Sequence, residues 1–513
     1  MRPGDAVTPG DAGGRATLPQ HVHTLIVGAG FGGIGMAVTL LRDDPAADVL
    51  VVERGDDVGG TWRENTYPGA ACDVPSALYS FSFAPESEWK RAHGTRAEIY
   101  AYLQRVAREQ GVTERTMFGC ELRDAQWDGE RARWVVSTSR GNLTADVLVA
   151  ATGALSTPTL PKVPGLELFS GTMFHSAEWD HSHDLTGARV AVIGTGASAI
   201  QFVPEIVGRV DHLTLFQRTA SWVMPKRDHG IASPVRSLYR RFPVVQKAVR
   251  GAVYGQKEMY VVGMTKPFAR NYALPLFEKR ARSFLRKQVP DPELRNRLTP
   301  DFAITCKRIL LSNDWFPAIT RSDVEIVSSA LTSVTENGVV DADGNEYPVD
   351  TIIFGTGFTP SEPPIAQHVR GEHGRSLAEV WNGSPSAHLG ISVNGFPNLF
   401  LMYGPNTNLG HSSIVYMLES QAAYIAAALR VMRTRRLDAV EVRADAQRRF
   451  AEELDPMLAG TVWNTGGCSS WYLDRTGRNS VMWPTFTWHY RNRTKEFDAE
   501  NYDLRAANTG VRG

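Results

Sequence analysis

Two glycine-rich loops constrain the fold of this chain more than any other feature. GAGFGG at residues 28–33 and GTGASA at residues 194–199 each follow a short apolar run and open a helix-like pattern. A glycine loop between a strand and a helix brings backbone amides close to a pyrophosphate at the helix N-terminus. One such loop is a weak signal, whereas two in one chain predict two Rossmann-type units, each holding a dinucleotide.

The first unit fits the pattern that binds FAD. Residues 23–52 read as strand, helix and strand, and Glu53 follows Gly33 by 20 residues. That spacing is expected for an acid that binds the ribose hydroxyls. Gly28 permits the tight turn, Gly30 allows the backbone to approach the pyrophosphate, and Gly33 lets the helix pack on the strand.

The second unit favours NADP(H) over NAD(H). Its second strand, residues 213–216, is followed by Gln217, Arg218 and Thr219, so an arginine stands where the first unit has its acid. A carboxylate there would repel a 2′-phosphate, whereas Arg218 can clamp one with two hydrogen bonds. The small and polar residues predicted to contact the pyrophosphate are Gly194, Thr195, Gly196, Ser198, Ala199 and Gln201.

The rest of the chain predicts one long interruption of the α/β pattern. Residues 226–302 are rich in Arg, Lys, Leu and Phe at helix-like spacing, which indicates a helical insertion in the NADP unit. We interpret their basic excess as a solvated helix face, with a partner site and a membrane-surface patch as the alternatives. About the last seventy residues mix Trp, Tyr and Gly and predict an irregular cap.

The predicted fold class is α/β, with two Rossmann-type dinucleotide-binding domains for FAD and NADP and a helical insertion in the NADP domain. We find no internal repeat beyond the two Rossmann units. The predicted boundaries are a disordered tail at 1–20, an FAD-binding domain at 21–157 and 366–513 (the second part includes the cap), an NADP-binding domain at 158–225 and 303–365, and the insertion at 226–302.

Composition restricts the function classes. The 55 Lys and Arg balance the 55 Asp and Glu, so the chain lacks the basic excess expected of a nucleic-acid-binding protein. No uninterrupted apolar run reaches about 18 residues, so we expect no membrane span. Cys72, Cys120, Cys306 and Cys468 form no C-x-x-C pair, which argues against a metal site and against a redox dithiol. We therefore expect reduced thiols and a cytoplasmic location.

Two longer motifs accompany the glycine loops. Residues 59–73 read G-G-x-W-x-x-x-x-Y-P-G-x-x-x-D, and residues 169–180 read F-x-G-x-x-x-H-x-x-x-W-D. Both resemble fingerprints of type I Baeyer–Villiger monooxygenases, flavoenzymes that insert one oxygen atom from O2 beside a ketone carbonyl. The resemblance extends from about residue 23 to residue 490. It implies an NADPH- and O2-dependent enzyme that converts ketones to esters or lactones through a C4a-peroxyflavin and can also oxidise thioethers.

The resemblance also implies roles for single residues. Arg308 is the implied catalytic cation that stabilises the anionic peroxide and the adduct it forms, and Asp73 orients it. Thr61, Trp62 and Tyr79 are implied flavin contacts, and Trp62 would offer a flat apolar wall to the ring. The predicted catalytic residues are therefore Arg308 and Asp73.

At the other nucleotide, Arg218, Thr219 and Lys307 are candidates for the 2′-phosphate and ribose, and Trp471 resembles a tryptophan that closes over the nicotinamide ribose. His175 could carry a proton, because an ordinary histidine titrates near neutral pH, but we expect a structural role in which it links the two domains by hydrogen bonds. The other fingerprint residues are expected to pack the interdomain crossing: Phe169, Gly171 and Trp179.

The predicted cofactor contacts fall into one set that spans both units. They are Gly28, Gly30, Phe31, Gly33, Glu53, Gly60, Thr61, Trp62, Asp73, Tyr79, Gly194, Thr195, Gly196, Ser198, Ala199, Gln201, Arg218, Thr219, Lys307 and Trp471. Residues 404–412 are expected near the flavin and the substrate pocket. Residues 403–411 do not match cyclohexanone-type sequences, so the choice of ketone stays open.

The predicted partners are a small-molecule ketone and O2, without nucleic acid, and the chain is expected to be a monomer or weak homodimer. The main alternative is an N- or S-oxidising flavin-containing monooxygenase, which shares both loops but should not need Arg308 with Asp73. A flavin oxidase or reductase that uses NADPH is a further alternative. A non-enzymatic scaffold is disfavoured because both glycine loops, Glu53 and Arg218 are intact.

Overall fold

The computed structural model describes residues 17–359 and 363–506. Residues 1–16 of the predicted tail lie outside the described residues, and the prediction of disorder is untested there. The described chain forms two mainly parallel sheets flanked by helices, which confirms the predicted α/β class.

The strands and helices alternate along most of the chain. The strands are β1 His21–Val27, β2 Val49–Val52, β3 Thr116–Met117, β4 Leu122–Asp128, β5 Arg133–Thr138, β6 Gly141–Ala150, β7 Thr172–His175, β8 Arg189–Ile193, β9 His212–Phe216, β10 Val223–Met224, β11 Leu310–Leu311, β12 Val324–Val327, β13 Leu331–Val334, β14 Gly338–Asp341, β15 Glu346–Pro348, β16 Thr351–Phe354, β17 Val369–Arg370, β18 Leu399–Leu401, β19 Leu437–Val442 and β20 Tyr502–Ala506. The helices are α1 Phe31–Asp43, α2 Thr61–Glu64, α3 Arg96–Glu109, α4 Ala199–Ile206, α5 Ser233–Arg241, α6 Pro243–Thr265, α7 Pro267–Gln288, α8 Pro292–Arg297, α9 Trp315–Ile319, α10 Ile365–His368, α11 Leu377–Trp381, α12 Ile414–Arg435, α13 Ala444–Ala459, α14 Val462–Thr465 and α15 Thr487–Arg493.

The first sheet positions the first glycine loop. Its order is β17-β4-β5-β6-β1-β2-β3, and β18 pairs with β6. Strand β1 lies between β2 and β6 and is parallel to both, so Gly28 leaves the sheet at the carboxyl edge of its centre. Side chains alternate between two cores: Ile26 packs with α1 and α12, whereas Leu25 packs with Trp134 and α11 on the other face.

The second sheet positions the second glycine loop. Its five strands, in the order β12-β9-β8-β16-β7, are all parallel. Helices α4 and α9 cover one face, and the antiparallel strands β13, β14 and β15 cover the other. Strands β7 and β8 precede residues 226–302 in the chain, and β16 follows them. Because β16 lies between β7 and β8, chain segments from both sides of residues 226–302 form one sheet.

The segment predicted as a helical insertion contains α5, α6, α7 and α8. Helices α6 and α7 have 23 and 22 residues and pack side by side. Across residues 17–359 and 363–506, no helix is both long and apolar enough to traverse a membrane. The domain boundaries stay predictions.

The C-terminal region is more regular than the irregular cap that we predicted. It contains the 16-residue helix α13, the helices α14 and α15, and an antiparallel pair of strands, β19 and β20. Helix α13 buries one residue in every fourth position, at Ala446, Phe450, Leu454 and Leu458. This spacing is a helical signal that the Trp and Gly content of the neighbouring segments obscured.

The prediction of reduced thiols is wrong for two of the four cysteines. Cys306 and Cys468 form a disulfide between positions 162 residues apart, and only Cys72 and Cys120 are free. Sequence spacing could not reveal this pair, because a long-range disulfide requires that folding bring the two Cβ atoms together.

Candidate active site

One large cavity joins the predicted site residues. Its volume is about 1060 Å³, and residues of both glycine loops line it. It also exposes Asp73, Arg308 and Trp471 on its wall. Of the predicted cofactor contacts, only Gly33 and Ala199 do not line the cavity; the fingerprint residues Phe169, Gly171, His175 and Trp179 do not line it either.

The first loop is shaped so that only glycine fits. Gly28 has a φ of +103°, and a Cβ there would lie 2.6 Å from the carbonyl oxygen of Ala151. A Cβ on Gly33 would lie 1.8 Å from the carbonyl oxygen of Gly28, so the helix could not approach the strand. The backbones of Gly30 and Gly60 lie close together, since a Cβ on Gly30 would be 3.6 Å from the Cα of Gly60, and both residues line the cavity. This cradle suits a pyrophosphate bound at the start of α1.

Glu53 lies at the end of the second strand, as predicted, and is buried. Its carboxylate accepts hydrogen bonds from the backbone N–H groups of Ala29 at 2.8 Å and Gly55 at 2.9 Å, and it pairs with Arg63 at 3.0 Å. These contacts hold the carboxylate at the cavity wall. An acid fixed in this way is suited to accept hydrogen bonds from ribose hydroxyls.

Three aromatic side chains form one wall beside this cradle. Trp62 donates its indole N–H to the hydroxyl of Tyr79 at 3.2 Å, and their rings meet edge to face. Phe31 packs on Tyr79 with ring centroids 5.1 Å apart. Together they give the cavity a rigid apolar surface that fits a flat ring system.

Asp73 and Arg308 form the charged centre of the cavity. The Arg308 Nε and Nη2 atoms donate to the two carboxylate oxygens at 2.5 and 2.7 Å. Burial opposes ionisation of Asp73, but the attraction of Arg308 outweighs it and holds the pKa of the carboxyl below its usual range. The carboxylate in turn raises the pKa of Arg308 further. Both groups are therefore charged at neutral pH.

Sequence reasoning missed two tyrosines close to Arg308. Tyr403 and Tyr472 line the cavity, and the pKa of each is raised by burial, for Tyr472 to about 12. Tyr403 has a φ of +62°, which is rare for an aromatic residue. Tyr472 follows the predicted Trp471 directly, so that motif could have revealed it; the backbone of Tyr403 gives no signal in the sequence.

The second loop repeats the glycine geometry at the other side of the cavity. Gly194 has a φ of +108°, and a Cβ there would lie 2.7 Å from the carbonyl oxygen of Gly355. Thr195, Gly196 and Ser198, which we predicted to contact the pyrophosphate, line the cavity. Helix α4 begins at Ala199, with Ser198 as its N-cap. The loop therefore presents a second cradle for a phosphate group.

Gln201 has a contact that the sequence did not indicate. Its amide accepts a hydrogen bond from the N–H of Ala71 at 2.9 Å and donates to the carbonyl oxygen of Ala71 at 3.1 Å. Gln201 lies on α4, whereas Ala71 belongs to the segment that carries Asp73. The side chain thus ties the two units together beside the cavity, although it also lines the cavity as expected for a pyrophosphate contact.

Two cations meet beyond the second loop. Arg218 is exposed and forms no salt bridge with any residue in the described ranges. Burial, followed by repulsion from Arg218, lowers the pKa of Lys307. Both residues and Thr219 line the cavity. Two neighbouring cations on one wall of the cavity are suited to a bound phosphate, and the 2′-phosphate contacts stay a prediction.

The structure changes the interpretation of His175. We expected its hydrogen bonds to link two domains, but Nδ1 accepts from the N–H of Ala177, at 3.1 Å within the same segment, and the buried Nε2 has no hydrogen-bond partner among the described residues. The ring is buried, which lowers the pKa of His175 to about 4 and leaves the imidazole neutral. His175 therefore has a local structural role and is not a proton carrier at neutral pH.

The other fingerprint residues are packed and do not line the cavity, and their role in the interdomain crossing stays a prediction. A Cβ on Gly171 would lie 2.3 Å from the carbonyl oxygen of Asp350 and 2.7 Å from the ring of Phe169. Trp179 packs against Phe202 of α4 with ring centroids 5.2 Å apart. These contacts fasten the segment to the second sheet.

The Cys306–Cys468 disulfide joins the two chain segments that bring Arg308 and Trp471 to the cavity. Neither cysteine of this pair lines the cavity. The side chain of Trp471 is 40% exposed and packs edge to face on Tyr472. The crosslink thus limits how far the Trp471 segment can move from the Arg308 segment.

Comparisons with known proteins find relatives of one kind over nearly the whole chain. Residues 25–241 match the family model described as pyridine nucleotide-disulphide oxidoreductase. Proteins from Streptomyces coelicolor and Pseudomonas aeruginosa, both described as Baeyer–Villiger monooxygenase, are 47% identical over 94% of this chain and 93% and 92% of their own lengths. The crystal structure of cyclohexanone monooxygenase from Rhodococcus sp. Phi1 bound to NADP+ superposes with a TM-score of 0.84, at 26% identity over 96% of this chain and 100% of that one. An oxidised steroid monooxygenase bound to NADP superposes with a TM-score of 0.83, at 29% identity over 95% and 100%.

Proposed function

This chain belongs to the Baeyer–Villiger monooxygenase family and is an NADPH-dependent flavin monooxygenase, and we propose that the Asp73–Arg308 pair is its catalytic centre. The substrate is a small-molecule ketone, which is converted with O2 to an ester or lactone. The observation that carries this proposal is the two-bonded ion pair on the wall of a cavity that both glycine loops also line.

The cavity residues divide between two nucleotides. The cradle of Gly28, Gly30 and Gly60, together with Glu53, fits FAD, and the Trp62–Tyr79 wall fits its ring. The Gly194 loop and the Arg218–Lys307 cations fit NADP(H), with Trp471 at the edge of the same cavity. Bound FAD, reduced by NADPH, supplies the activation of O2 from which one oxygen atom is transferred.

Arg308 stabilises negative charge that develops in the cavity. Its guanidinium keeps its proton throughout the reaction, so it acts as a fixed electrostatic partner for an oxygen anion. Asp73 accepts hydrogen bonds from Nε and Nη2 of Arg308, and Nη1 takes no part in this pair. The two bonds fix the orientation of the guanidinium in the cavity. Asp73 is therefore a positioning residue as well as a counter-ion.

The surrounding apolar and aromatic groups strengthen this effect. Tyr403 and Tyr472 line the cavity near Arg308, and Leu409 adds an apolar side chain to the cavity wall. A charge interaction is stronger where the local dielectric constant is low. Residues 403–412 are accordingly proposed to select the ketone, since Tyr403, Asn408, Leu409 and Ser412 of this segment all line the cavity.

The test is product analysis with isotopically labelled oxygen. Purified protein is incubated with NADPH, labelled O2, a thioether, and a panel of linear, cyclic, aryl and steroidal ketones. We expect an ester or lactone that carries one labelled atom. Sulfoxide without any ester would instead favour the N- or S-oxidising class, and hydrogen peroxide as the sole product across the panel would favour a flavin oxidase.

We propose that the chain is a monomer or weak homodimer, which light scattering on a size-exclusion column tests directly. We also propose a cytoplasmic location, although the Cys306–Cys468 disulfide removes the reduced-thiol argument for it. Fractionation of the native cells with antibody detection tests that location.

A further inference from the structure

The helical insertion combines a strong positive charge with large exposed apolar side chains. Between Ser233 and Gln288 the sequence has 13 Lys and Arg against two Asp and Glu, whereas the whole chain has 55 of each. Met259, Phe268, Tyr272 and Leu276 are 65%, 71%, 81% and 69% exposed. A solvated helix face explains the charges but does not explain four exposed apolar residues of this size. We call these four residues the apolar tip.

The apolar tip lies at one end of a helical hairpin. Helices α6 and α7 are joined at the exposed Lys266 and approach closely, since a Cβ on Gly263 would lie 3.1 Å from the Cβ of Ala273. Phe268, Tyr272 and Leu276 are spaced four residues apart and therefore share one side of α7. The next turn of that side carries the exposed Lys279 and Arg280. Cations thus flank the apolar tip along the chain.

We propose that the apolar tip and its flanking cations dock on an anionic lipid surface. Aromatic and aliphatic side chains enter the boundary between headgroups and acyl chains, while neighbouring Lys and Arg contact anionic headgroups. A second copy using the same face would place two basic surfaces against each other, which is repulsive. A polyacidic protein would pair with the cations but would leave the four apolar side chains without an apolar environment.

The hairpin that carries the apolar tip lies next to residues 403–412, the segment proposed to select the ketone. A Cβ on Gly410 would lie 3.4 Å from the sulfur of Met264, in the last turn of α6. Arg270, near the start of α7, donates to the carbonyl oxygen of Gly460 at 2.8 Å. The hairpin is therefore fastened to the C-terminal region beside the cavity. On the proposed function, this placement assigns the substrate to the class of apolar ketones that partition into lipid.

The experiment measures binding of the full-length protein to vesicles without substrate, so its result does not depend on the proposed oxygenation. Flotation is performed with vesicles of phosphatidylcholine alone and with about one third phosphatidylglycerol, at about 0.05 M and 0.5 M NaCl. We expect binding to the anionic vesicles at low salt, and binding at least about tenfold weaker with neutral vesicles or high salt.

Two variants separate the apolar and ionic contributions. The triple variant Phe268→Ser, Tyr272→Ser, Leu276→Ser and the double variant Lys279→Glu, Arg280→Glu should each weaken vesicle binding about tenfold or more. Matched controls at exposed sites outside the insertion are Leu168→Ser, which is 61% exposed in the wild type, and Arg131→Glu. Both controls should bind like the wild type.

Several outcomes would overturn the proposal. They are no binding to anionic vesicles, equal binding to neutral vesicles, or hairpin variants that bind as well as the controls. A wild-type dimer that the triple variant dissociates would assign the face to a second copy instead. Circular dichroism and NADPH oxidation by each variant establish that it is folded.

Discussion

Arg308 and Asp73, 235 residues apart in sequence, meet through two hydrogen bonds, from Nε to Oδ2 at 2.5 Å and from Nη2 to Oδ1 at 2.7 Å. Their side chains keep 38% and 30% of their surface exposed, and they line the cavity that carries both glycine loops. A two-bonded pair fixes direction as well as charge, because the planar guanidinium cannot rotate without breaking both bonds. The first predictions follow from that geometry.

Replacing Arg308 should uncouple NADPH oxidation from oxygen insertion. We expect Arg308→Ala to lower ester formation about 10²–10³-fold while NADPH is still consumed, because the variant lacks the cation that stabilises negative charge. Arg308→Lys should also lose most of the activity, since lysine cannot form the paired bonds to Asp73. Ester yield per NADPH, measured by gas chromatography, checks this, with Arg131→Ala as a surface control. Normal coupling in Arg308→Ala would remove Arg308 from the catalytic centre.

Asp73 should make the protein sensitive to acid. Its pKa is lower in the folded chain than the value of about 4 expected when unfolded, so the carboxylate stabilises the fold above pH about 4. This contribution is lost as the pH falls through the folded pKa. Asp73→Asn should therefore be less stable than the wild type at pH about 7 and should lose less stability on acidification. Urea unfolding at several pH values measures this, and parallel pH curves for both proteins would contradict it.

Arg218 should discriminate NADPH from NADH. Hydrogen bonds to charged groups contribute about 1.5–3 kcal/mol, so Arg218→Ala should raise the KM for NADPH about tenfold or more. The KM for NADH, which has no 2′-phosphate, should change little. Lys307→Ala should shift the same ratio in the same direction. Arg209→Ala, which removes an exposed arginine paired with Asp184 in the same unit, is the control. Equal effects on both nucleotides would rule out the phosphate clamp.

His175 should not contribute to the pH profile of the reaction. Burial lowers its pKa to about 4, so it is neutral from pH about 5 upwards. Asn can replace the Nδ1 acceptor that caps the N–H of Ala177, so His175→Asn should retain activity with the same pH dependence. His175→Ala should lose roughly 1–3 kcal/mol of unfolding free energy, because the capping bond is lost and a buried space is left. A displaced pH optimum in the active Asn variant would restore the proton-carrier role.

The disulfide should contribute to both stability and nucleotide binding. It closes a loop across 162 positions, for which chain entropy predicts about 5 kcal/mol of stabilisation. Cys306→Ser and Cys468→Ser should lower the melting temperature and, by releasing the Trp471 segment, raise the KM for NADPH. Alkylation of the denatured protein should modify two cysteines without reductant and four with it. Modification of four cysteines in both samples would contradict the crosslink.

The local elements of this protein could be predicted from sequence because short-range rules govern them. Gly28 and Gly194 are required by the positive φ of a tight turn, and Glu53 by its distance from that turn. The strand patterns before both loops were recognisable for the same reason. The α/β class and the two cofactors followed from these elements together.

Other features depended on how the two units pack. Helix α13 was missed because its regular burial was hidden within an aromatic-rich segment, and the side chain of Gln201 was assigned to phosphate although it also ties α4 to Ala71. Tyr403 lies in the segment 403–411 that the sequence singled out, but its position beside Arg308 follows from a backbone turn with a φ of +62°, which the sequence does not indicate. The relative orientation of the two units cannot be predicted from hydrophobic periodicity or from the spacing of motifs in the sequence.

The sequence alone therefore determined two strand–loop–helix cradles, their separate preferences for FAD and NADP(H), and the family to which the chain belongs. Only the tertiary structure decided through which atoms Asp73 meets Arg308 and how Lys307 comes near Arg218, both of which the resemblance had implied, and that Cys306 bonds to Cys468, which the sequence did not indicate. The physical reason is the range of the interactions. Cradles are built by sterics and hydrogen bonds within about 30 residues, the length of one β-α-β unit, whereas these pairs form only after burial of the cores fixes the relative positions of distant segments.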